Sequence, residues 1–224
     1  MTAPGAKPCL YVLAGTNGAG KSSLAGAMHL AQAGEFFNPD EAAKQMQSAN
    51  PGASLADVNV AAWNEGVRLL RRAITERLTF FFETTLGGRT ITGLLEHAMS
   101  SGMEVGIWYV GLESPELHIA RVRARVAKGG HDIPEQKIRE RYSQSRLNLM
   151  RLMPNLSELR VFDNTKEATR ETGAGLEPRL LLHMVRGKMV SRCEPAETPE
   201  WAKPILMAAL KLSAPGDESI GRRS

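Results

Sequence analysis

A three-layer α/β/α sandwich, with a mainly parallel sheet and a helical lid, is the fold this sequence predicts. Three observations predict it. Apolar runs of strand length alternate with amphipathic runs of helix length along most of the 224 residues, the pattern of a parallel sheet joined by right-handed crossovers. The first apolar run, Cys9-Leu10-Tyr11-Val12-Leu13-Ala14, leads into Gly15-Thr16-Asn17-Gly18-Ala19-Gly20-Lys21-Ser22, which fits G-x-x-x-x-G-K-[ST] without a gap. A helix-like segment from Ser22 to about Ala33 follows, and strand, glycine loop and helix is the context that motif needs. The sequence therefore predicts a P-loop NTPase architecture. One P-loop domain spans 1–212, with a lid at about 120–150 and a flexible polar tail at 213–224.

The loop carries the first functional expectation. Glycines allow successive backbone N–H groups to point inward around a phosphate at a helix N-terminus, where the dipole favours negative charge. Gly15, Asn17, Gly18, Ala19, Gly20, Lys21, Ser22 and Ser23 are the expected ATP-binding residues. Lys21 would reach the β- and γ-phosphates, and the Ser22 hydroxyl would ligate Mg²⁺.

The remaining elements follow in order. Glu35-Phe36-Phe37 reads as a short strand, and Pro39 turns the chain to leave Asp40 at a carboxyl end. Ser54 caps a helix over Leu55 to Leu78, whose stripe of Val60, Trp63, Val67, Leu70 and Ile74 is expected in the core. Thr79 to Glu83 is a buried strand ending in a carboxylate, and its three phenylalanines also read as core. A helix from about Thr90 to Ser101 ends at Gly102, and Glu104 to Gly111 is the next strand. Ser114-Pro115-Glu116 opens a helix that breaks at Gly129-Gly130. Pro134 starts another helix, running to about Leu152. Leu159 to Asn164 is a late strand, and the runs flanking Arg186-Gly187 read as a hairpin. A short helix over about Glu200 to Leu212 closes the folded part.

A P-loop alone does not distinguish kinases from other NTPases. The chain has no apolar strand ending in paired acids of the helicase or transporter type, and no Asn-Lys-x-Asp guanine signature. Asp40 and Glu83 stand instead at neighbouring strand ends. A carboxylate there can take the proton of an alcohol as it attacks the γ-phosphoryl group. The alternative for Asp40 is a helix N-cap. Arg121 and Arg125 are one turn apart on one helix, and Arg139 and Arg141 lie on the next, with a glycine pair between them. Arginines that close over ATP stabilise charge on the transferring group and exclude water. His131 is either a lid contact or a loop residue. Asp163-Asn164 either lines the adenine end or forms a turn.

The order GTNGAGKSS, FFNPD, FFFETTLGGRT and RVAKGGHDIPEQKIRERY resembles the zeta-toxin family of P-loop kinases, and is similar to its bacterial branch of predicted ATPases or kinases. The likeness covers about residues 8 to 165. It implies a phosphotransferase that phosphorylates a sugar hydroxyl of UDP-N-acetylglucosamine. By motif, it implies that Asp40 is the general base, that Lys21 and Ser22 hold ATP and Mg²⁺, and that Glu83, Thr85 and Arg89 bind the acceptor. Arg125 and Arg141 match the lid arginines, with Arg139 competing for the second place. A separate antitoxin protein is the partner this family implies.

Other classes remain as alternatives. A P-loop ATPase switch could dock a partner on the apolar segment of Trp201, Ile205, Leu206 and Leu210, for which ordinary packing is the competing account. A polynucleotide 5′-kinase would need a basic groove, and the net charge of +4 is dispersed rather than gathered into a block. Aromatic content of 5% offers few stacking platforms for single strands, so nucleic acid is not the expected partner. The two cysteines form no metal-binding cluster. The stretch before the loop is too short for a signal core or a membrane span. The expected setting is the cytoplasm, with no membrane contact.

Overall fold

The computed structural model describes residues 7–22, 24, 36–166 and 177–214. The helix expected after the glycine loop lies outside these, apart from Ser22 and Leu24, and so do Ser23 and the end of the polar tail.

Seven strands form one sheet among the described residues, in the order β2-β3-β1-β4-β5-β6-β7. They are β1 (Cys9–Ala14), β2 (Phe36–Phe37), β3 (Phe80–Thr84), β4 (Glu104–Gly111), β5 (Glu158–Asp163), β6 (Arg179–Val185) and β7 (Lys188–Arg192). The strands from β2 to β5 run parallel, whereas β6 and β7 are antiparallel additions at one edge. Arg186 and Gly187 connect them with φ of 49° and 73°, the left-handed pair that a two-residue hairpin turn requires. β1 lies between β3 and β4, with Leu13 paired to Glu83 on one side and Trp108 on the other. The glycine loop thus leaves the sheet between two strand tips, where ligands of open α/β sheets bind.

The helices are α1 (Pro39–Ala49), α2 (Leu55–Thr75), α3 (Arg89–Ser100), α4 (Pro115–Val126), α5 (Glu135–Leu152) and α6 (Lys203–Ser213). Their starts follow local chemistry. Ser54 Oγ accepts from Asp57 N at 3.1 Å, and Ser114 Oγ accepts from Leu117 N at 3.2 Å, each satisfying an orphan amide. Gly102, at φ 78°, follows the end of α3.

Leu10, Val12, Phe80, Phe82, Val105, Ile107, Leu159 and Val161 fill one face of the sheet. Leu70 and Ile74 of α2, Leu95 of α3, Leu149 and Leu152 of α5, and Ile205 of α6 pack against them. Each such side chain contributes about 1.5–3 kcal/mol by leaving water. Leu13, Val110 and Phe162 occupy the opposite face with Leu24. Burial on both faces explains why β3 reads as an unbroken apolar run rather than an alternating one.

One expectation is corrected by packing, and one open alternative is decided by it. Val60 and Trp63 are not core: they are 59% and 47% exposed, while Val58, Ala62, Val67, Leu70 and Ile74 of α2 are buried. N-terminal to Val67 the buried face of α2 turns toward α1, where Val58 and Ala62 pack beside Ala43. For the C-terminal segment, where docking and ordinary packing were the two accounts, packing holds: Trp201, Ile205 and Leu206 are buried, and Leu210 packs against the same core. Trp201 Nε1 also donates to Asp163 Oδ1 at 3.1 Å.

Candidate active site

The glycine loop is held in a shape that side chains would prevent. Gly15 has φ 146°, and a Cβ there would lie 2.3 Å from the Val110 carbonyl oxygen. Gly20, at φ 80°, would place a Cβ 2.3 Å from Asn164 Nδ2. Gly15 N donates to Thr84 O at 3.2 Å, tying the loop to the tip of β3. From the other side, Asn164 Nδ2 donates to Ala19 O at 2.8 Å. Asn164 therefore braces the loop, and Asp163 accepts from Thr165 Oγ1 and from Trp201.

Lys21 is 8% exposed and bends back into this loop. Its Nζ donates to Gly15 O at 2.9 Å and lies 3.4 Å from Glu83 Oε1. Glu83 Oε2 accepts from Asn38 Nδ2 at 3.1 Å. Asn38 Oδ1 in turn accepts from the amides of Asp40 and Glu41, capping α1. One chain of contacts thus runs from Lys21 through Glu83 and Asn38 to Asp40. Asp40 is not the N-cap; it lies in the first turn of α1, after Pro39, and Asn38 is the cap. Asn38 is not among the expected site residues, although Asn before Pro is the same start signal as Ser114-Pro115.

The lid arginines divide. Arg125 NH1 lies 3.5 Å from Asp40 Oδ2, and its NH2 donates to the His131 carbonyl at 2.9 Å. Arg121, one turn earlier, donates to Thr165 O at 3.2 Å, beside Gly20. Arg141 NH1 donates to Asn17 Oδ1 at 2.7 Å, and its stem crosses Gly87. Burial lowers the Arg141 pKa from the usual guanidinium range, and the charges of Asp40 and Glu140 oppose that shift. Arg139 does not compete for this place: it pairs with Glu116 at 2.6 Å on the exposed side of the helices. His131 lies in the loop between α4 and α5, its Nε2 3.4 Å from Asn59 Nδ2 of α2.

Thr85 is half-buried in the loop after β3, where its hydroxyl meets Gly87 N at 3.5 Å. Arg89 is the exposed first residue of α3. Ser22 is exposed at the end of the glycine loop. His118 had no sequence signal. It lies in α4 among Ile119 and Val122, 1% exposed, and its Nδ1–H donates to Asn17 O at 2.8 Å. Burial pushes its pKa down to about 4, with Lys21, Arg121 and Arg146 adding to the shift and the bond to Asn17 opposing it. A neutral imidazole therefore holds the main chain of Asn17 while Arg141 holds its side chain.

The fold has known relatives. The AvrRxo1-ORF1:AvrRxo1-ORF2 complex, solved with sulphate ions and with ATP, has a chain that superposes with TM-scores of 0.64 and 0.63 at 18% identity. The match covers 97% of this chain and 67% of that one. The PezAT toxin–antitoxin system of Streptococcus pneumoniae gives a TM-score of 0.53 at 14% identity, over 92% of this chain and 86% of that one. An uncharacterized protein of Haemophilus influenzae is 34% identical over 128 residues, which cover 57% of this chain and 88% of the relative. The structural likenesses, both under 25% identical, show a shared fold. The zeta toxin family model matches residues 1–171, so the resemblance carried by the four motifs holds: this chain belongs to the zeta toxin family.

Proposed function

We propose that this protein is an ATP- and Mg²⁺-dependent kinase that transfers the γ-phosphoryl group to a hydroxyl of a small molecule, a nucleotide sugar such as UDP-N-acetylglucosamine. The observation that carries the reading is the contact chain from buried Lys21 through Glu83 and Asn38 to Asp40. It joins a phosphate-binding loop to the helix turn that carries Asp40, whose main-chain amide is the last link and whose carboxylate would accept the proton.

The residues fit a triphosphate. Arg125 Nε is buried with no hydrogen-bond partner among the described residues, and a phosphate oxygen would supply one. The glycine loop offers amides at a turn that excludes Cβ atoms. Ser22 is the residue that would hold Mg²⁺, which would neutralise charge on the β- and γ-phosphates. ATP bound to an AvrRxo1-ORF1:-ORF2 complex supports the same nucleotide here.

Each residue then has a role. Lys21 binds the β- and γ-phosphates. Asp40 accepts the acceptor's hydroxyl proton as that oxygen bonds to the γ-phosphorus and the bond to the β-bridging oxygen breaks, releasing ADP. Arg125 and Arg141 neutralise the equatorial oxygens and exclude water. Glu83, Thr85 and Arg89 orient the acceptor. The toxin–antitoxin pairing of PezAT supports a separate inhibitor protein, with both acting in the cytoplasm.

Calorimetry with ATP and Mg²⁺, followed by γ-labelled ATP with a panel of nucleotide sugars, tests the proposal. Saturable ATP binding and a phosphorylated sugar nucleotide are the expected results. Folded protein that takes up no ATP, or that hydrolyses ATP without phosphorylating any small molecule, overturns it.

A further inference from the structure

Trp63 stands out because its helix position is a core position and its exposure is not. Residues 63, 67, 70 and 74 lie on one stripe of α2, and the last three are buried while Trp63 is 47% exposed. At its level α2 is covered by α1, which buries Val58 and Ala62 on a neighbouring face and leaves Trp63 outside that contact. At 1.5 Å per residue Trp63 lies ~18 Å from the α2 end at Thr75, while β3 from Phe80 to Thr84 climbs only ~13 Å. Since α2 feeds β3 and runs back along it, Trp63 projects at or beyond the tips that carry Glu83 and Thr84.

Its surroundings can be located from both sides. Gly66, one turn toward the core, approaches Phe37 so closely that a Cβ would lie 2.7 Å from the ring. Phe37 adjoins Asn38, which holds Glu83 and caps the turn of Asp40. Asn59, one turn the other way, lies 3.4 Å from His131 in the lid. Trp63 therefore sits between the Asn38 platform and the lid, on the acid-bearing side of the site and opposite the bracing contacts from Asn164.

We propose that Trp63 is a specificity-determining residue on which the planar base of a nucleotide-bearing acceptor stacks while its hydroxyl approaches Asp40. This rests on the kinase reading above. An indole face that would cost free energy to expose to water becomes useful when a flat ring covers it, and every nucleobase has such a face. Asp40 and Glu83 offer no comparable apolar surface, so the acids would position the hydroxyl and Trp63 would select the body of the molecule.

The test uses the whole protein loaded with a non-hydrolysable ATP analogue. Tryptophan emission is followed as UDP-N-acetylglucosamine, UMP, AMP and N-acetylglucosamine 1-phosphate are added, with Trp63→Phe as the blank for Trp108 and Trp201. The expected result is a saturable quench by at least one base-bearing probe that disappears in Trp63→Phe, and none by the probe lacking a base. Trp63→Ala should bind that base-bearing probe about ten-fold more weakly, with ATP affinity unchanged. The proposal is overturned if no base-bearing probe quenches Trp63, or if Trp63→Ala binds it as tightly as the unaltered protein. A quench without any phosphoryl transfer would overturn the kinase reading while leaving Trp63 as a base-stacking site. Transfer to a nucleotide sugar with an unchanged acceptor KM in Trp63→Ala would do the reverse.

Discussion

Lys21 and Glu83 meet at 3.4 Å across the tips of two adjacent parallel strands, with exposures of only 8% and 13%. The pair is set by register: Leu13 of β1 lies beside Glu83 of β3. Lys21 folds back over Gly15 to arrive at the same level. Replacing Glu83 with Gln keeps the shape and the bond from Asn38 available but removes the charge facing Lys21. The expected loss is about 2 kcal/mol of stability, the scale of a hydrogen bond to a charged group, read as a lower urea midpoint. Lys21→Ala should abolish phosphoryl transfer, checked with γ-labelled ATP.

Asp40→Asn separates chemistry from binding. The asparagine cannot take the acceptor's proton, so transfer should fall by about 10²–10⁴-fold. Asn38 and the helix start are untouched, so the ATP dissociation constant from calorimetry should stay within a few-fold. Near-normal turnover in this variant would remove Asp40 from the mechanism.

His118 gives the fold a pH dependence. Its pKa is about 4 in the folded protein against 6.5 as the ordinary value, so between those values the unfolded chain binds the extra proton. Stability from neutral His118 is present above pH 6.5 and is lost as pH falls toward 4, by about 3 kcal/mol in all. Thermal melts from pH 7.5 to 4.5 should show a steeper fall for the unaltered protein than for His118→Gln. Equal slopes would show that the imidazole does not stay neutral behind the loop.

Trp201 tests the role of the C-terminal segment. The ring is 3% exposed and bonded to Asp163 at the tip of β5. Trp201→Ala should cost about 3–5 kcal/mol in denaturant unfolding, with or without any partner protein. Unchanged stability would return the segment to the surface.

Much of the fold was legible because its signals are local. The glycine loop, the caps at Ser54 and Ser114, the Arg186-Gly187 turn and the apolar run of β3 each follow from neighbouring residues, whose conformational preferences act over a few bonds. In the candidate site, the residues that motifs single out, Lys21, Glu83 and Asp40, are linked in the fold through Asn38. The site was not legible where a partner lies far along the chain. Arg141 prevailed over Arg139 because it reaches Asn17 while Arg139 reaches Glu116, and both have the same chemistry in sequence. Asn164 and His118 brace the loop from 145 and 101 residues away.

By itself, then, the order of residues determined a P-loop, its flanking strand and an acid near the end of β3, since these depend on backbone freedom and hydrophobic period. Only the tertiary structure decided which charges meet, and that Trp63 stands clear of the core its stripe predicts. The reason is geometric: side-chain pairing and burial depend on where separate elements come to rest and how far each extends, and no local preference encodes either.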